Sequence, residues 1–434
     1  MRNLSSSNTT LRVALLGLAM LAAPAARADI IFNVNTLTDV VDDDTSDGLC
    51  HTSTNTCSLR AAIMQANHLT VPVTRIHVAA GTYVLTRPPN GADGEDSGDL
   101  NLATPINDDQ VIVISGAGAA NTIIDANQID RAIAIDQHAT ATIAGVTIRN
   151  GRAQDLSNGG GIYNFNARLT VSDCIIESNY TDTSGGGIYS MGILNILRST
   201  IRSNVARFGG GVAVSGPAAI RDSTFYSNGA DYGGGIYVTG PLTVVVNSTI
   251  SLNYANTHGG GILSYGDTVL YNTSVVGNDA DHDRDEKGGI GGGVYVSPHT
   301  DFKAYNTLIA GNTLVDSPIY NDCYGTLAAF GWNLLGESES CVIAGDGAAS
   351  VGFISLNTIG PLQDNGGPTW THALLAGSEA IDTTHDDVGC YDDSLAPLAT
   401  DQRGALRPAG PRCDVGAFEY GAISDRVFRN DFDG

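Results

Sequence analysis

The chain has 434 residues, with 46 Asp and Glu against 22 Lys and Arg, and a formal net charge of −24. This charge argues against a nucleic acid or an anionic membrane surface as the partner, since both need a dense basic surface on the protein. The hydrophobic fraction of 42% is too high for a disordered acidic chain.

Residues 1–28 have the pattern of a secretory signal peptide. Arg2 and Arg12 flank an apolar run from Val13 to Ala23, and small residues stand just before Asp29. The run is too short to remain in a bilayer as an anchor. No later stretch is apolar enough for a transmembrane helix, so we expect an exported protein with no transmembrane segment in its mature chain.

Residues 29–70 contain a change of period that predicts a short helix. In "CSLRAAIMQANH", from Cys57 to His68, Ser58 is suited to the N-cap position. One face of this helix would be apolar and would carry Leu59, Ala62, Ile63 and Ala66. We expect the helix to cover the N-terminal end of the fold that follows, as an N-terminal cap.

Residues 71–313 are dominated by a repeat. Three glycines followed by Ile or Val begin at Gly159, Gly185, Gly209, Gly233, Gly259 and Gly291. The units end in Asn, at Asn150, Asn179, Asn204, Asn228, Asn253, Asn278 and Asn312. Short alternating β-branched segments fill the space between these anchors. Strands that recur about every 24 residues between Gly-rich corners predict an all-β fold, a parallel β-helix.

Alignment of the units on the closing Asn groups the residues into columns that stack from coil to coil. Residues three and five positions before the Asn lie on the same side of an alternating strand, so both columns should point inward. The column at three is Ile176, Ile201, Phe225, Ile250, Val275 and Ile309. The column at five is Cys174, Ser199, Ser223, Ser248, Thr273 and Thr307. Apolar residues eight and ten positions before the Asn should point inward too. Because these positions are even and the first two are odd, the chain must turn a corner about six or seven residues before the Asn. Cys174 is then a buried, inert thiol.

The corner column, six residues before the Asn, carries the candidate catalytic residues. It reads Asp173, Arg198, Asp222, Asn247, Asn272 and Asn306. The favoured interpretation is a column of side chains that bond to one another along the axis. The alternative is a polysaccharide lyase or glycoside hydrolase that uses Asp173, Arg198 and Asp222 in a groove along one face. Residues 279–290 and 93–99 are the expected groove walls.

A second column is aromatic and should face outward. Tyr163, Tyr189, Tyr237 and Tyr295 follow the inward Ile or Val of their units, and Ala213 and Leu263 interrupt the column. Exposed rings on a flat sheet are platforms for sugar rings. Stacked tyrosines also stabilise a parallel sheet by themselves, so glycan binding and a structural role both stay open.

Calcium is the one cofactor that the sequence raises. Asp279, Asp281, Asp283 and Asp285 alternate in an insertion, and a second acidic run holds Asp42, Asp43, Asp44 and Asp47. The first run resembles the start of an EF-hand loop, but Arg284 and Ile290 stand where the turn Gly and the bidentate Glu belong. Solvated acidic loops are the favoured interpretation.

Residues 314–420 lack the Gly-Gly-Gly rhythm and hold both tryptophans and four of the seven cysteines. We expect the last irregular coils here, followed by a disulfide-stapled C-terminal cap, and a flexible tail over 421–434. Neighbouring cysteines in an exported chain predict the disulfides Cys50–Cys57, Cys323–Cys341 and Cys390–Cys413. The alternative is that these thiols bind a metal ion. The sequence contains no Cys-x-x-Cys spacing, which argues against a metal site.

Five segments resemble those of a family of secreted bacterial proteins. "CSLRAAIMQAN" is similar to the CSLREA-type motif, with Ala61 where that motif has Glu. "GGGIYN" and "STIRSN" resemble the repeats of polymorphic outer membrane proteins. "GPLQDNGGPTWTHALLAGSEAID" and "DQRGALRPAGPRCDVGAFEYG" resemble the choice-of-anchor Q region. The resemblance implies a right-handed parallel β-helix outside a Gram-negative cell, and it implies no catalytic residues.

The leading functional prediction is a secreted or cell-surface, non-catalytic adhesion or interaction module that binds an extracellular glycan or a host or cell-surface protein. The alternative is the polysaccharide-degrading enzyme described above, since parallel β-helices carry both kinds of function. Converging carboxylates and arginines in a walled groove would favour the enzyme. A smooth face with paired charges would favour the binder.

Overall fold

The computed structural model describes residues 29–91, 94–104, 110–153, 157–283, 288–314, 321–336, 340–345, 350–384, 390–394 and 396–423. The predicted signal peptide, Asp93, Asp285 and most of the predicted tail lie outside these residues. The chain forms a right-handed parallel β-helix, as the repeat and the resemblance predict. Each complete coil passes through four parallel sheets, here called faces 1 to 4 in the order in which the chain visits them.

Faces 1 and 2 are joined through one long strand at the C-terminal end. Face 1 consists of β4 (Leu100–Leu102), β7 (Ile133–Ile135), β11 (Ile162–Asn164), β15 (Ile188–Ser190), β19 (Val212–Val214), β23 (Ile236–Val238), β27 (Ile262–Ser264), β31 (Val294–Val296) and the start of β35 (Cys323–Phe330). Face 2 consists of β1 (Ile30–Val34), β2 (Val73–Val78), β5 (Val111–Gly116), β8 (Thr140–Ala144), β12 (Arg168–Ser172), β16 (Ile193–Leu197), β20 (Ala218–Arg221), β24 (Thr243–Val246), β28 (Thr268–Tyr271), β32 (Phe302–Tyr305), the end of β35 and β37 (Cys341–Gly345).

Faces 3 and 4 complete the coil. Face 3 consists of β3 (Gly81–Val84), β6 (Thr122–Asp125), β9 (Thr147–Arg149), β13 (Ile175–Glu177), β17 (Thr200–Arg202), β21 (Thr224–Tyr226), β25 (Thr249–Ser251), β29 (Ser274–Val276), β33 (Leu308–Ala310), β36 (Asn333–Leu335) and β38 (Val351–Phe353). Face 4 consists of β10 (Arg152–Ala153), β14 (Tyr180–Thr181), β18 (Val205–Phe208), β22 (Gly229–Tyr232), β26 (Tyr254–His258), β30 (Asp279–Ala280) and β34 (Thr313–Leu314).

The core runs along the inside of the coils, and the columns predicted to point inward do so. Every residue three before the closing Asn, from Ile176 to Ile309, is at most 1% exposed. The column of small residues is buried as well, and the backbone N–H of Cys174 donates to Ser199 Oγ at 3.1 Å. Successive coils therefore bury apolar rows along the axis, which is the main stabilising term of a solenoid.

The Gly-Gly-Gly and corner positions need backbone conformations that other residues rarely adopt. Gly185, the first of its triplet, has φ = 75°, and a Cβ on Gly186 would lie 2.5 Å from the carbonyl oxygen of Gly210 in the next coil. Only glycine fits both conditions. At the predicted corner, Asp173, Arg198 and Asp222 have φ values of 53°, 44° and 52°. The change of inward parity is thus produced by one left-handed residue in each coil.

The closing asparagines form a continuous hydrogen-bonded ladder. From Asn179 to Asn278, each Nδ2 donates to Oδ1 of the next Asn at 2.8–3.0 Å, and Asn312 ends the ladder on Asp322. The expectation for Asn150 is wrong. Ile148 pairs with Ile176, so Gly151 occupies the ladder register, and Asn150 instead bonds the carboxylate of Asp125.

The predicted N-terminal helix is α1 (Leu59–His68), and Ser58 caps it by accepting a hydrogen bond from the N–H of Ala61 at 3.0 Å. The helix packs against β1, β2 and β4, with its apolar face in the core. Arg60 is also buried, with its Nε 2.6 Å from Asp39 Oδ1 and its Nη2 donating to the carbonyl oxygen of Gly98. This side chain therefore connects the helix to the loops that contain Asp39 and Gly98.

The C-terminal region contains the last coils and then turns back along the solenoid. After β38 come a short 3-10 helix (Leu356–Thr358) and the antiparallel pair β39 (Ile359–Gln363) and β40 (Thr371–Leu374). The described residues of 359–423, here called the return segment, lie against the side of the coils on face 3. The bonds that hold it there are Thr224–Trp370, Ser251–His372, Asn272–Tyr391, Asn247–Thr400, Thr249–Gln402, Asn306–Gly416 and Ser274–Ala417.

The three predicted disulfides are present: Cys50–Cys57, Cys323–Cys341 and Cys390–Cys413. Cys174 is free and buried, and burial raises its pKa to about 12, so it is inert as predicted. The pair Cys390–Cys413 lies within the return segment. The stapled C-terminal element therefore exists, but its described contacts are with the side of the β-helix.

A buried charge network stabilises the return segment internally. Arg403 lies 2.6 Å from Asp401, and Arg407 lies 2.9 Å from Glu419. Burial, and then the negative charge of Glu419, raise the pKa of Asp414 to about 7. Such charges are tolerated inside a protein only when they are paired and hydrogen-bonded. The buried charges of the return segment are therefore held in ion pairs within the segment itself.

Candidate saccharide-binding cleft

The return segment covers face 3 from the coil of Thr224 onwards and leaves the outer surface of the preceding coils open. The boundary is a cleft of about 440 Å³, within the range of roughly 300–1,000 Å³ typical of small-molecule sites. Its lining consists of Gly118, Ala119, Ala120, Gly145, Asp173, Cys174, Ile175, Arg198, Thr200, Arg202, Tyr226, Pro368 and Trp370. The return segment supplies one wall, in place of the loops 279–290 and 93–99 that the sequence suggested.

The aromatic wall of the cleft is built from two elements that are distant in sequence. The ring of Trp370 stacks on that of Tyr226, with centroids 5.3 Å apart and planes 9° apart. Trp370 is nevertheless 41% exposed. Its position is fixed through the backbone, because its carbonyl oxygen accepts hydrogen bonds from Thr224 Oγ1 at 2.6 Å and Gln402 Nε2 at 3.2 Å. The cleft thus holds a large, rigidly placed and partly open ring.

Asp173 and two arginines, Arg198 and Arg202, form the polar side of the cleft. Arg198 makes two hydrogen bonds to Asp173, at 2.9 and 2.7 Å, and both side chains are more than two-fifths exposed. Arg202 bonds Glu177 at 2.5 Å and donates to the hydroxyl of Tyr226 at 2.8 Å. Arg198 and Arg202 are therefore each paired with a carboxylate of the preceding coil. These groups give planar donors and acceptors beside the exposed ring.

The structure places two of the three candidate catalytic residues in the cleft. Asp173 and Arg198 line it, whereas Asp222 lies two coils further along the same column, outside the lining. Asp222 accepts a hydrogen bond from Asn247 Nδ2 at 2.7 Å, and burial raises its pKa. Its backbone carbonyl accepts a bond from Thr369, so the return segment sits against it. The bond from Asn247 runs along the axis, as the favoured interpretation of this column expects, whereas the bond from Thr369 is a contact of the return segment.

The four predicted glycan-binding tyrosines face outward on face 1 and are half-buried. Tyr163 and Tyr189 stack on each other at 5.8 Å, and the ring of Tyr295 stacks on that of Tyr324 at 5.4 Å. Tyr237 contacts Phe208 and Tyr265. The interrupting residues, Ala213 and Leu263, are fully buried. Further aromatic residues outside the predicted column therefore join it.

Calcium ligands do not converge at the alternating aspartates that the structure describes. Asp279 accepts a hydrogen bond from Thr313, and Asp285 lies outside the described residues. Within the described part of the chain, Asp42, Asp43 and His51 are grouped closely enough to hold a metal ion, with ligand atoms within 4.8 Å of one another. His51 is hydrogen-bonded to Asp43 and Asp47, so this group is satisfied without an ion.

Sequence reasoning missed Trp370 and Tyr226 as site residues. Tyr226 stands two residues before the closing Asn. The same position holds Glu177, Arg202, Ser251 and Val276 in neighbouring units, so it forms no column of similar residues that would indicate a site. Trp370 lies outside the repeat. The one available signal was the "GPTWTH" segment itself, where an aromatic ring follows Gly and Pro in a turn.

Comparisons with known proteins bear on the fold. No protein-family model matches the chain, and no curated protein matches it in sequence. The crystal structure of pectate lyase Pel9A is similar, with a TM-score of 0.47 and 13% identity over 91% of this chain and 96% of that chain. In the described residues, no helix is both long and apolar enough to span a membrane. The CSLREA-type and choice-of-anchor Q resemblances stay predictions.

Proposed function

We propose that the protein is an extracellular, non-catalytic saccharide-binding β-helix, and that the cleft beside Trp370 is its binding site. The observation that carries the proposal is the exposed indole of Trp370, held against Tyr226 next to the Arg198–Asp173 pair. An aromatic ring offers its face to the C–H groups of a sugar ring. Guanidinium and carboxylate groups then hydrogen-bond the hydroxyls.

The paired charges favour binding over catalysis. A glycosidase needs two carboxyl groups on opposite sides of a sugar, and among the described residues Asp173 is the one carboxylate in the lining of the cleft. That carboxylate is also engaged by Arg198 through two hydrogen bonds. A carboxylate held by two charge-assisted hydrogen bonds is a fixed acceptor for a hydroxyl. The geometry therefore supports recognition of a sugar without its conversion.

Export and adhesion belong to the same proposal. The signal peptide predicted over 1–28 would carry the chain out of the cytoplasm, and three disulfides are typical of proteins in oxidising compartments. A β-helix stabilised by stacked side chains and disulfides is suited to an extracellular surface, where a bound glycan would fix the protein to its own cell, a host or a matrix.

The experiment is a glycan array with the purified protein, followed by calorimetric titration of the strongest ligands. We expect Trp370→Ala and Arg198→Ala each to weaken binding at least about tenfold, or about 1.4 kcal/mol. Tyr420→Ala is the matched control, because Tyr420 is 42% exposed on the same return segment and lies outside the cleft. It should leave the affinity unchanged.

Two results would contradict the proposal. The first is the absence of binding to any saccharide on an array of neutral and acidic glycans. The second is a saccharide affinity that Trp370→Ala and Arg198→Ala leave at the wild-type value while circular dichroism shows both variants folded. Arg198→Lys serves as the conservative variant, since it keeps the charge and loses the paired hydrogen bonds to Asp173.

Glycoside hydrolysis is the second candidate, and one observation favours it. Burial raises the pKa of Asp222, as a general acid requires, and Asp173 lies in the same column two coils away. Incubation with the bound glycan, followed by a reducing-end assay, tests it. Release that is abolished by both Asp173→Asn and Asp222→Asn would replace the binding proposal with a hydrolase. No release would leave the protein as a binder.

A further inference from the structure

A second surface, which spans the Gly-Gly-Gly turn between faces 4 and 1, is rich in aromatic rings. Seven rings contact one another in a continuous set, with centroids 5.1–6.4 Å apart. This aromatic band consists of Phe208, Tyr232, Tyr237, His258, Tyr265, Tyr295 and Tyr324. It crosses five successive coils, which at about 4.8 Å per coil gives a length of roughly 20 Å along the axis.

Part of the band is a parallel stack that stabilises the sheet, but Tyr265 does not belong to that stack. Its ring is inclined by 69° to that of Tyr237 and by 55° to that of Tyr295. It is also 48% exposed, and Tyr324 is 38% exposed at the end of the band. Stacking between neighbours therefore leaves substantial ring surface in contact with water, which a purely structural column would bury.

Hydroxyl groups lie beside these rings. Ser215 and Thr239 occupy the position of Tyr265 in the two preceding coils, and their oxygens are 3.0 Å apart. The hydroxyl of Tyr189 is 3.4 Å from Ser215 Oγ. Aromatic rings with hydroxyl groups beside them match the two kinds of surface on a sugar, its C–H face and its hydroxyl edge.

The band carries no formal charge at neutral pH. Six of its members are Phe or Tyr, and burial lowers the pKa of His258, which keeps that ring uncharged. Asp231, next to Tyr232 in sequence, accepts a hydrogen bond from Asn256 at 2.9 Å, and the guanidinium of the exposed Arg207 lies 5.1 Å from the centroid of the Phe208 ring at one end of the band. With a net charge of −24, the chain as a whole repels anionic polymers. The surface is therefore complementary to an uncharged ligand.

We propose that the aromatic band binds a linear, uncharged polysaccharide that lies along the axis of the β-helix. The length of the band and its outward position on faces 4 and 1 favour an extended chain over a single sugar, and the seven uncharged rings favour a neutral chain over an anionic one. This site is separate from the cleft at Trp370, which lies on face 3. Its occupancy goes beyond the function proposed above and does not depend on it.

Affinity gel electrophoresis tests the proposal with soluble neutral polymers (xyloglucan, mixed-linkage β-glucan, galactomannan and amylose) and with polygalacturonate as the acidic comparison. We expect at least one neutral polymer to retard the protein and polygalacturonate to have no effect. The double variant Tyr265→Ala/Tyr324→Ala should lose at least about tenfold in affinity for that polymer. Longer oligosaccharides of the same polymer should bind more tightly than its disaccharide.

Matched variants separate this site from the cleft. Trp370→Ala should leave retardation by the neutral polymer unchanged, and Tyr420→Ala is the control for loss of an exposed tyrosine. The proposal is overturned if no neutral polymer retards the protein, if polygalacturonate binds equally well, or if the double variant, folded by circular dichroism, binds as the wild type does. Loss of polymer binding in Trp370→Ala alone would assign the polymer to the cleft and also overturn it.

Discussion

Trp370 and Tyr226 stack face to face across the junction between the return segment and face 3, with ring centroids 5.3 Å apart. One ring belongs to the C-terminal segment and the other to strand β21, so the cleft exists only while the segment is docked. Arg202, which donates to the hydroxyl of Tyr226 and bonds Glu177, extends the same contact to the preceding coil. Docking and the proposed ligand binding therefore share these side chains.

Replacing Tyr226 tests this shared contact. We expect Tyr226→Leu to weaken saccharide binding about fivefold or more, because Trp370 loses the ring that holds it and Arg202 loses an acceptor. Tyr226→Phe keeps the stack and should have a smaller effect. A double-mutant cycle with Trp370→Ala, measured by calorimetric titration, should give a coupling of about 0.5–1.5 kcal/mol. Additive effects would show that the two rings act independently.

The asparagine ladder should dominate local stability. Asn228 is fully buried; its Oδ1 accepts two bonds from Asn204, and its Nδ2 donates to Ile201 and Asn253. Asn228→Ala leaves these partners unsatisfied, and we expect a loss of about 3 kcal/mol of unfolding free energy. Urea unfolding followed by circular dichroism measures it.

Asn195→Ala is the matched control for that variant. Asn195 points outward on face 2 of an adjacent coil and is partly exposed, so its loss should change the unfolding free energy by less than about 0.5 kcal/mol. Equal destabilisation by the two variants would contradict a special role for the ladder.

The repeat could be predicted from the sequence because each column contains equivalent residues from several units. Inward residues, corner residues and closing Asn residues each stack on the equivalent residues of the next coil. A wrong assignment in one unit, such as that of Asn150, therefore leaves the assignments of the other units correct. The same periodicity identified Cys174 as a buried thiol in a column of serines. The N-terminal helix followed from local signals as well, through the cap at Ser58 and its apolar face.

The cleft could not be predicted, because it depends on contacts that occur once. Gln402 is 1% exposed; it donates hydrogen bonds to Thr224 and Thr369 and accepts one from Thr249. The residues beside Gln402 in the sequence give no indication of these partners. The buried pairs Arg403–Asp401 and Arg407–Glu419 look like surface charges in the sequence. Long-range docking of a non-repeating segment leaves no periodic pattern.

The serine column predicts how Cys174 tolerates substitution. Cys174 Sγ lies 3.1 Å from the carbonyl oxygen of Ser172, just as Ser199 Oγ donates to that of Leu197 at 2.8 Å. A serine at 174 can make the same bond, so Cys174→Ser should change the unfolding free energy by less than about 1 kcal/mol. Cys174→Leu overpacks the column and should cost about 1–3 kcal/mol or more. Urea unfolding of both variants measures this, and a reversed order would refute the register.

Docking of the return segment should weaken as the pH rises towards neutrality and above. The pKa of Asp414 is about 7 in the folded protein, because of burial and then the charge of Glu419, and it returns to about 3.8 on unfolding. Between these values the folded state holds more protons than the unfolded state, so this group lowers stability as the pH rises from about 4 to 7. The cost is fully present above the folded pKa.

Asp414→Asn should remove part of this dependence. Thermal unfolding at pH 5 and pH 8 is expected to show a smaller drop in Tm for the variant than for the wild type, in the order of a few degrees, equivalent to about 1–2 kcal/mol. Asp414 also accepts hydrogen bonds from the N–H groups of Asp382 and Tyr420, so the variant should be less stable than the wild type at pH 5. Asp364→Asn, an exposed acid in the same segment, is the control. If both variants keep the wild-type difference between pH 5 and pH 8, Asp414 does not set the pH dependence, and the remaining carboxylates of this acidic chain do.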